Sequence, residues 1–497
     1  HGRFWPNRHG EYGMPARKTL INQLRLQIES EGGHVLLLSG GDINTGVPES
    51  DMLDAEPDFK GMAALGYDAM AVGNHEFDNP LSVIRKQQDW AGFPFLSANT
   101  YHKASGERVF QPYKMFTFNG VRIAVFGLTT EATAVIGNPD TLGDITFTKT
   151  VEEARKLVPE LRRQADIVVA LTHMGHYPDA KHDINAPGDV SLARAVEGID
   201  LIVGGHSQDP VCMAAENQRQ TAYRPGDPCV PDRQNGALIV QAHEWGKYLG
   251  RADFVFHHGQ LKLRQYQLIP VNLKRKTSVN GTEQRQFIGP EIIPAEDMLA
   301  LLQPYQDRGN SALYKTIGRV NGALVGDTDS VRNGYTNLGR LIATALMRAG
   351  KADLAIINAG GIRAGIEAGD ITVKDLLTVL PFNNTLCYVE LSGAELKDYL
   401  RTVFAFPKNS GGFPQSAGLV LNREDPSQWR VTGISPRSIR DRETYRLAIN
   451  NFIARGGDNY PPIHHHPGFV DTGLTDVNVL QAFIQRRESI DVAEFEP

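Results

Sequence analysis

The stretch Ile167-Val-Val-Ala-Leu-Thr-His173 shows the pattern on which the fold depends, an unbroken apolar run that ends in a histidine. Similar short runs recur through the first half of the chain, and helix-like segments such as Val151 to Gln164 separate them. Continuous apolar runs are typical of strands covered on both faces, and the intervening helices indicate crossover connections between parallel strands. The pattern therefore predicts a layered α/β domain.

The sequence changes in character after this series of strands. The segment 273–314 is largely polar, and a helix-like stretch runs from Glu296 to Asp307. Further on, strand-like runs at Leu354 to Asn358 and at Tyr445 to Asn450 indicate a second, smaller α/β domain. The predicted organisation is a first domain over 1–272, a linker with a helix over 273–314, and a second domain over 315–497.

The composition excludes several classes of protein. The 497 residues include 51 Lys+Arg and 57 Asp+Glu, so the formal net charge is −6. This balance disfavours binding to a nucleic-acid polymer, because binding to the phosphate backbone needs a positive surface. An apolar fraction of 41% with 22% charged residues is typical of folded globular proteins. No stretch reaches the ~18 consecutive apolar residues of a membrane span, so no membrane-spanning helix is predicted.

The cysteines are too few for a disulfide scaffold, so the core is expected to hold the fold together. Cys212 and Cys229 lie in a polar, proline-containing stretch, and their spacing allows either a loop-closing disulfide or two unpaired thiols. Cys387 lies in an apolar strand-like run and is predicted to be a buried small apolar residue.

Polar residues that can bind a metal ion through oxygen or nitrogen follow most of the apolar runs in the first domain. In an open α/β sheet, ligands bind beyond the carboxyl ends of the strands, so these side chains are expected to meet in one crevice. The donors are oxygen and nitrogen without thiolate, which suits Mn²⁺, Zn²⁺, Mg²⁺ or Co²⁺. The residues are Asp42, Asn74, His75, His173, His206, Gln208 and His243.

A carboxylate such as Asp42 can bind one cation with each oxygen and so bridge two of them. Two divalent ions ~3.5–4 Å apart favour in-line displacement at phosphorus, because they generate hydroxide near neutral pH and neutralise charge on the phosphoryl oxygens. The sequence therefore predicts two divalent metal ions of uncertain identity and the hydrolysis of a phosphate ester.

Motifs in both halves of the chain resemble a known family. The first set resembles the signature of calcineurin-like metallophosphoesterases: Gly40-Gly-Asp42, Gly73-Asn-His-Glu-Phe-Asp78, Thr172-His-Met-Gly-His176 and Gly204-Gly-His-Ser-Gln208. The second set narrows the resemblance to the 5′-nucleotidase family, whose bacterial members include periplasmic 5′-nucleotidases/UDP-sugar hydrolases: Gly360-Gly-Ile-Arg363, Pro381-Phe-Asn-Asn384 and Gly456-Gly-Asp-Asn-Tyr460. The resemblance implies a four-layer αββα-type metallophosphoesterase domain followed by a smaller α/β substrate-binding domain.

The resemblance also implies metal ligands. One ion would be held by His1, Asp42 and Gln208, and the other by Asp42, Asn74, His173 and His206. In the family an Asp two residues before the first His completes the first site. This sequence starts at that His, and we interpret the missing Asp as the result of truncation rather than of lost activity. His176 and His243 are expected to have supporting or structural roles.

His75 and Asp78 are the catalytic pair that the resemblance implies. Their spacing places them side by side on a helical turn. In the family the His stabilises the transition state at the phosphoryl group, and the Asp orients the His. Interpretation of Asp78 as a helix N-cap is compatible with this role.

The residues that the resemblance implies for substrate binding lie in the second domain. Arg363 would bind phosphate, Phe382 and Phe452 would sandwich a nucleobase, and Asp458 would accept hydrogen bonds from ribose hydroxyls. Arg332 and Asn384 also match the pattern, whereas Thr328 replaces an Arg of some members and predicts weaker phosphate binding. By residue type alone, the two phenylalanines would be interpreted as core residues. Domain closure about 294–314 is expected to bring the substrate to the metals.

The leading hypothesis is a secreted metal-dependent hydrolase of nucleoside 5′-monophosphates that also acts on nucleotide di- and triphosphates and on UDP-sugars. One alternative is a 2′,3′-cyclic-nucleotide phosphodiesterase of the same architecture. Another is a non-catalytic nucleotide-binding protein, against which the His75–Asp78 pair argues. The resemblance further implies a monomer that acts on small molecules in the periplasm, an oxidising compartment that favours the Cys212–Cys229 disulfide.

Overall fold

The computed structural model of the protein describes residues 1–177, 186–215, 217–220, 223–279, 282–420, 429–433 and 435–496. The chain divides into two units, His1–Arg308 and Gly309–Pro497.

Helices α1 to α9 are Met14–Ser30, Pro48–Asp51, Glu56–Leu65, Leu81–Ala91, Thr133–Ile136, Pro139–Leu142, Thr150–Gln164, Asp189–Ala195 and Glu296–Leu313. Strands β1 to β9 are Leu38–Ser39, Ala69–Ala71, Phe95–Leu96, Thr100–His102, Tyr113–Phe118, Val121–Thr129, Ile145–Phe147, Ile167–His173 and Leu201–Val203. Strands β10 to β17 are Met213–Ala215, Gln218–Arg219, Asp232–Gln234, Ala237–Val240, Tyr248–His257, Gln260–Pro270, Lys274–Val279 and Thr282–Phe287.

Two sheets form the centre of the first unit. One has three parallel strands in the order β1-β2-β3, and the other has six strands in the order β12-β13-β9-β8-β6-β5. One buried cluster joins the two sheets, with Ala71 and Leu96 from the small sheet and Val125 and Leu171 from the large one. This burial on both faces explains the continuous apolar runs in the sequence.

Helices cover the outer face of each sheet. Helices α1, α3 and α4 share a buried cluster with the small sheet, in which Phe59 and Ile84 pack with Met70. Helices α7 and α8 share another with the large sheet, in which Leu157 and Val190 contribute beside Phe126, β8 and β9. The four layers are therefore helix, sheet, sheet and helix, which confirms the predicted αββα architecture.

Strand register aligns the ends from which the candidate residues follow. In the parallel pairs of the large sheet, Thr129 is opposite His173, Leu171 is opposite Val203, and Val203 is opposite Val240. The carboxyl ends of β8, β9 and β13 therefore lie at one edge of this sheet, where ligands bind in α/β folds.

The disulfide and most of the segment 273–314 belong to the later part of the first unit. Cys212 and Cys229 form a disulfide with a Cα–Cα distance of 5.0 Å, which confirms the bridge. The segment 273–314 contains the β16–β17 hairpin and helix α9. Met298 and Leu302 of α9 are buried in the cluster of Phe59, so much of the segment predicted as a linker packs on the first unit.

The second unit has its own sheet and core. Helices α10 to α15 are Thr328–Asn333, Asn337–Ala349, Val373–Val379, Gly393–Val403, Asn451–Ala454 and Asp476–Arg487. Strands β18 to β28 are Thr316–Val320, Leu354–Asn358, Gly369–Thr372, Thr385–Ser392, Pro414–Ala417, Leu419–Val420, Arg430–Val431, Arg437–Ser438, Thr444–Asn450, Phe469–Thr475 and Ser489–Ile490.

A mixed sheet in the order β22-β19-β26-β21-β27 separates two apolar clusters of the second unit. Ala355 and Ile357 of β19 face one cluster, and Leu354 and Ile356 face the other, as the alternation of side chains along a strand requires. Cys387 in β21 is a buried free thiol, as predicted. These features confirm a second α/β domain. Among the described residues, no helix is both long enough and apolar enough to cross a membrane.

Candidate functional site

Several candidate residues of the first unit adopt an unusual backbone conformation. Asp42, His206 and Gln208 have positive φ angles of 60°, 76° and 57°. Non-glycine residues rarely adopt this left-handed region, and such strain concentrates at functional sites. Gly73 is required beside them, because a Cβ at this position would lie 2.2 Å from Oδ1 of Asp42.

The structure brings the predicted donors together around Asp42. The ligand atoms of Asp42, His173 and His206 lie within 4.8 Å of one another, and those of His1, Asp42 and His75 satisfy the same limit. Gln208 joins the second group, since its Nε2 lies 2.8 Å from Nε2 of His1. Asp42 is therefore common to two groups of donors.

The ring of His173 is held from both sides. Its Nδ1 lies 2.5 Å from the carbonyl oxygen of Gly40, and its Nε2 lies 2.9 Å from Oδ2 of Asp42. Burial alone would lower the pKa of His173, but the Asp42 carboxylate raises it above its usual value. Burial would likewise raise the pKa of Asp42, but the charges of His173 and His75 hold it well below its usual range. The site thus favours an ionised carboxylate.

His75 and Asp78 form a hydrogen-bonded pair. They lie on the 3₁₀-helical turn His75–Asp78, where Nδ1 of His75 is 2.6 Å from Oδ2 of Asp78. The hydroxyl of Thr45 donates to the same carboxylate oxygen, and the backbone N–H of His75 donates to Oδ1 of Asp42 at 2.9 Å. Asp78 does not cap the following helix, whose N-cap residue is Pro80 without a side-chain bond. Asp78 therefore contacts the His75 ring and the Thr45 hydroxyl, and the N-cap interpretation is wrong.

A cavity of about 170 Å³ opens next to these donors. His243 lines it with a φ of 84°, and its Nδ1 hydrogen-bonds the carbonyl oxygen of Gln208. His176 is fully buried, and its Nε2 lies 2.9 Å from Oδ2 of Asp232. Both histidines thus support neighbouring residues, as expected. Candidate residues that line the cavity are His1, Asp42, His173, His206 and Gln208.

The donor set fits a divalent metal ion. It combines one carboxylate with imidazole and amide groups, which suits Zn²⁺, Mn²⁺, Co²⁺ or Mg²⁺. Oδ1 of Asn74 is buried and has no hydrogen-bond partner among the described residues. A buried polar atom in this position is costly unless a ligand satisfies it. The side-chain oxygen of Asn74 is therefore available to a ligand.

Candidate residues of the second unit cluster beyond the carboxyl ends of β19 and β26. The Arg363 guanidinium lies 5.7 Å from the centre of the Phe382 ring. Phe452 lies just after the end of β26. Its ring packs on Gly457 so closely that a Cβ added to Gly457 would lie 2.5 Å from a ring carbon of Phe452. Asp458 follows with a φ of 51°. Phe382 and Phe452 are both half-buried.

The other candidates of this unit lie before β21 and on α10. Asn384 is buried before β21, and its carbonyl oxygen accepts a hydrogen bond from the backbone of Asp476. Arg332 is half-buried on α10, and its carbonyl oxygen accepts a hydrogen bond from Asn409. Thr328 is exposed at the start of the same helix.

Sequence reasoning missed two residues that hold the candidates in place. Asn358, at the end of β19, donates to Oδ2 of Asp458 at 2.7 Å and accepts from Asn450 at 3.2 Å. Its position at a strand end is the signal that could have identified it. The second is Glu76, a buried acid inside the Gly73 to Asp78 motif.

Comparison with known proteins agrees with this geometry. The calcineurin-like phosphoesterase family matches residues 9–210, and the 5′-nucleotidase C-terminal domain family matches residues 316–465. A 5′-nucleotidase of Vibrio parahaemolyticus is 56% identical over 501 residues, which cover 100% of this chain and 89% of that protein. Protein UshA of Escherichia coli is 52% identical, with 100% and 91% covered. The crystal structure of a 5′-nucleotidase precursor from Thermus thermophilus has a TM-score of 0.76 at 29% identity and covers 97% of this chain and 92% of its own.

Fold, donor cluster and family matches together define a metal-dependent phosphoesterase of the calcineurin-like class. Its second domain and its close relatives narrow the assignment. The chain belongs to the 5′-nucleotidase family.

Proposed function

We propose that the protein hydrolyses nucleoside 5′-monophosphates to nucleosides and phosphate, and that it also accepts nucleotide di- and triphosphates and UDP-sugars. The observation that carries this proposal is the position of Asp42 in two donor groups within one cluster, where it can bridge two cations. The names of the relatives, 5′-nucleotidase and UshA, support the choice of substrates.

Two divalent ions of unassigned identity would be held by these donor groups. When bound, such ions lower the pKa of water and neutralise charge on the phosphoryl oxygens. The ligands proposed for one ion are His1, Asp42 and Gln208, and those for the other are Asp42, Asn74, His173 and His206.

His75 is proposed to act on the phosphoryl group. During hydrolysis a water oxygen bonds to phosphorus while the bond from phosphorus to the 5′ oxygen breaks, and the 5′ oxygen gains a proton. Asp78 binds Nδ1 of His75, and Nε2 is proposed as the nitrogen that would donate to the charge developing on the phosphoryl oxygens. Because Thr45 and Asp78 are hydrogen-bonded, this orientation is maintained before substrate arrives.

The second unit is proposed to bind the nucleoside part of the substrate. Phe382 and Phe452 would stack on the base, and Asp458 would accept hydrogen bonds from the ribose, held in place by Asn358. Arg363 and Arg332 would bind phosphate oxygens, and Asn384 would complete the set. The half-buried aromatic rings support this role, since a fully buried ring could not stack on a ligand.

We also propose that the protein acts in the periplasm as a monomer. The disulfide between Cys212 and Cys229 supports an oxidising compartment.

Chromatography of the nucleotide and nucleoside products, together with assays of released phosphate and of nucleotide binding, distinguishes the candidate functions. We expect turnover of AMP and of UDP-glucose with Mn²⁺, Co²⁺, Zn²⁺ or Mg²⁺ added in turn. Exclusive turnover of 2′,3′-cyclic AMP would instead identify a cyclic-nucleotide phosphodiesterase. Nucleotide binding without hydrolysis under every metal would identify a binding protein.

A further inference from the structure

Glu76 is a fully buried carboxylate between the loops that carry candidate metal ligands. One loop follows β1 and contains Asp42. The other follows β2 and contains Asn74 and His75. An ionised carboxylate is costly to bury unless several donors satisfy it, so its partners show what the side chain does.

Backbone N–H groups from both loops donate to Glu76. Oε2 accepts from Asp42 at 3.0 Å and from Gly73 at 2.7 Å. Oε1 accepts from Ile43 at 2.7 Å and from Asn44 at 3.3 Å. The side-chain amide of Asn44 also donates to Oε1 at 3.3 Å. One carboxylate therefore joins the loop after β1 to the loop after β2.

These bonds act on the residues that the metal site needs. Asp42 has a φ of 60°, a conformation that a side chain adopts only when its surroundings impose it. The bond from its N–H to Glu76 helps to impose this conformation and directs the Asp42 carboxylate toward His173 and the His75 N–H. Charge-assisted hydrogen bonds of this kind are stronger than neutral ones.

We propose that Glu76 is a positioning residue, which sets the distance between Asp42 and Asn74 and thereby the affinity of the site for divalent ions. The inference rests on the proposed function, because it assumes that Asp42 and Asn74 bind metal. Partners that orient metal ligands typically affect metal affinity by about 10–100-fold.

Glu76→Gln tests the inference at almost constant volume. The amide has only one acceptor oxygen, and its NH₂ group would face N–H donors of one of the loops. The full chain, stripped of metal with a chelator, is titrated with Mn²⁺ by isothermal titration calorimetry, and its Tm is measured without metal. We expect Mn²⁺ to bind roughly 10–100-fold more weakly than to the parent.

Asp68→Asn is the matched control. Asp68 joins the same two strands at their opposite ends, since its Oδ2 accepts the N–H of Leu37 at 2.7 Å. Its loss is expected to lower the Tm of the chelated protein while Mn²⁺ affinity stays within about twofold of the parent. Should Glu76→Gln fail to fold, Glu76→Asp is titrated instead, because it keeps the charge but reaches one methylene less far.

Asp42→Asn separates the positioning role of Glu76 from the metal site itself. Unchanged Mn²⁺ affinity in the Glu76 variants, with binding lost in Asp42→Asn, would overturn the positioning role alone. Unchanged affinity in Asp42→Asn would overturn the proposed metal site, and the role of Glu76 with it. Equal losses of affinity in the Asp68 and Glu76 variants would show a general effect of fold stability and would also overturn the inference.

Discussion

Asp42 combines the features that make a single residue decisive. Its side chain is shared by two donor groups, its φ is positive, and its pKa is held low by the charges of His173 and His75. The low pKa keeps the carboxylate ionised, and its position in two donor groups allows it to bind a cation in each. We therefore expect the chemistry at this site to depend on the charge of this one side chain.

Replacing Asp42 by Asn is expected to remove the bridging charge and reduce phosphate release from AMP by several orders of magnitude, even with excess metal. His465→Ala serves as a control, because this exposed residue lies in the other unit. Equal activity of Asp42→Asn and the parent would contradict the two-metal proposal.

Phe452 is expected to affect base binding without affecting chemistry. Its stacking contribution of about 1–3 kcal/mol per base predicts that Phe452→Ala raises KM for AMP about 10-fold or more. Hydrolysis of p-nitrophenyl phosphate, which has no base, is expected to stay nearly unchanged. By contrast, His75→Ala is expected to lower kcat for both substrates.

If Phe452→Ala impaired both substrates equally, its role would be core packing. The contact of its ring with Gly457 makes this outcome a real alternative.

At the scale of elements, short loops after parallel strands carry the candidate site, and the loop from Cys212 to Cys229 is closed covalently. This disulfide spans a sequence separation of 17 and packs in one cluster with Tyr248 and Tyr266. The carbonyl oxygen of Val211, next to the bridge, accepts a hydrogen bond from the Tyr266 hydroxyl. The bridge therefore restrains a segment close in sequence to Gln208, a candidate metal ligand.

Removing the bridge with Cys212→Ala and Cys229→Ala together is expected to lower the free energy of unfolding by about 3 kcal/mol, as for a loop of similar length. Denaturant unfolding followed by circular dichroism measures this change. Reductant is expected to destabilise the parent but not the double variant. Destabilisation of both proteins by reductant would show that the bridge is not the cause.

At the scale of the whole molecule, buried and half-buried carboxyl groups couple stability to pH. Burial raises the pKa of several of them, to about 8 for Asp51, about 7 for Asp189 and Asp476, and about 6 for Asp58. A folded-state pKa above the unfolded value means that the folded state binds more protons in the interval between them. The free energy of unfolding is therefore expected to fall as pH rises from about 4 to about 8.

Asp476→Asn isolates one of these groups, far in sequence from the candidate metal ligands. Asp476 is buried at the start of α15, where its Oδ1 accepts the N–H of Val477. The variant cannot ionise, so its Tm is expected to exceed that of the parent at pH 8, and this gain is expected to vanish near pH 4. Scanning calorimetry across this range measures the difference. A parent and a variant with parallel pH profiles would contradict the assignment of the raised pKa to Asp476.

Much of the fold and the candidate site was predictable from the sequence by itself. Continuous apolar runs predicted buried parallel strands, and the residues after these runs predicted which side chains meet, because strand ends share one edge of a sheet. Asp42, His173 and His206 are found together on this basis. The family resemblance added the residues of the second unit, which periodicity alone would have assigned to a core.

Only the tertiary structure decided how these residues are held. In the structure Cys212 pairs with Cys229, and α9 packs on the first unit. Glu76 accepts a hydrogen bond from the backbone of Asp42, and Asn358 donates one to the carboxylate of Asp458. Apolar periodicity is a local property that follows from the geometry of helices and strands, so a sequence pattern can predict it. A hydrogen bond between distant residues such as Glu76 and Asp42 depends instead on backbone torsions and on how whole elements pack, and no local pattern contains that information.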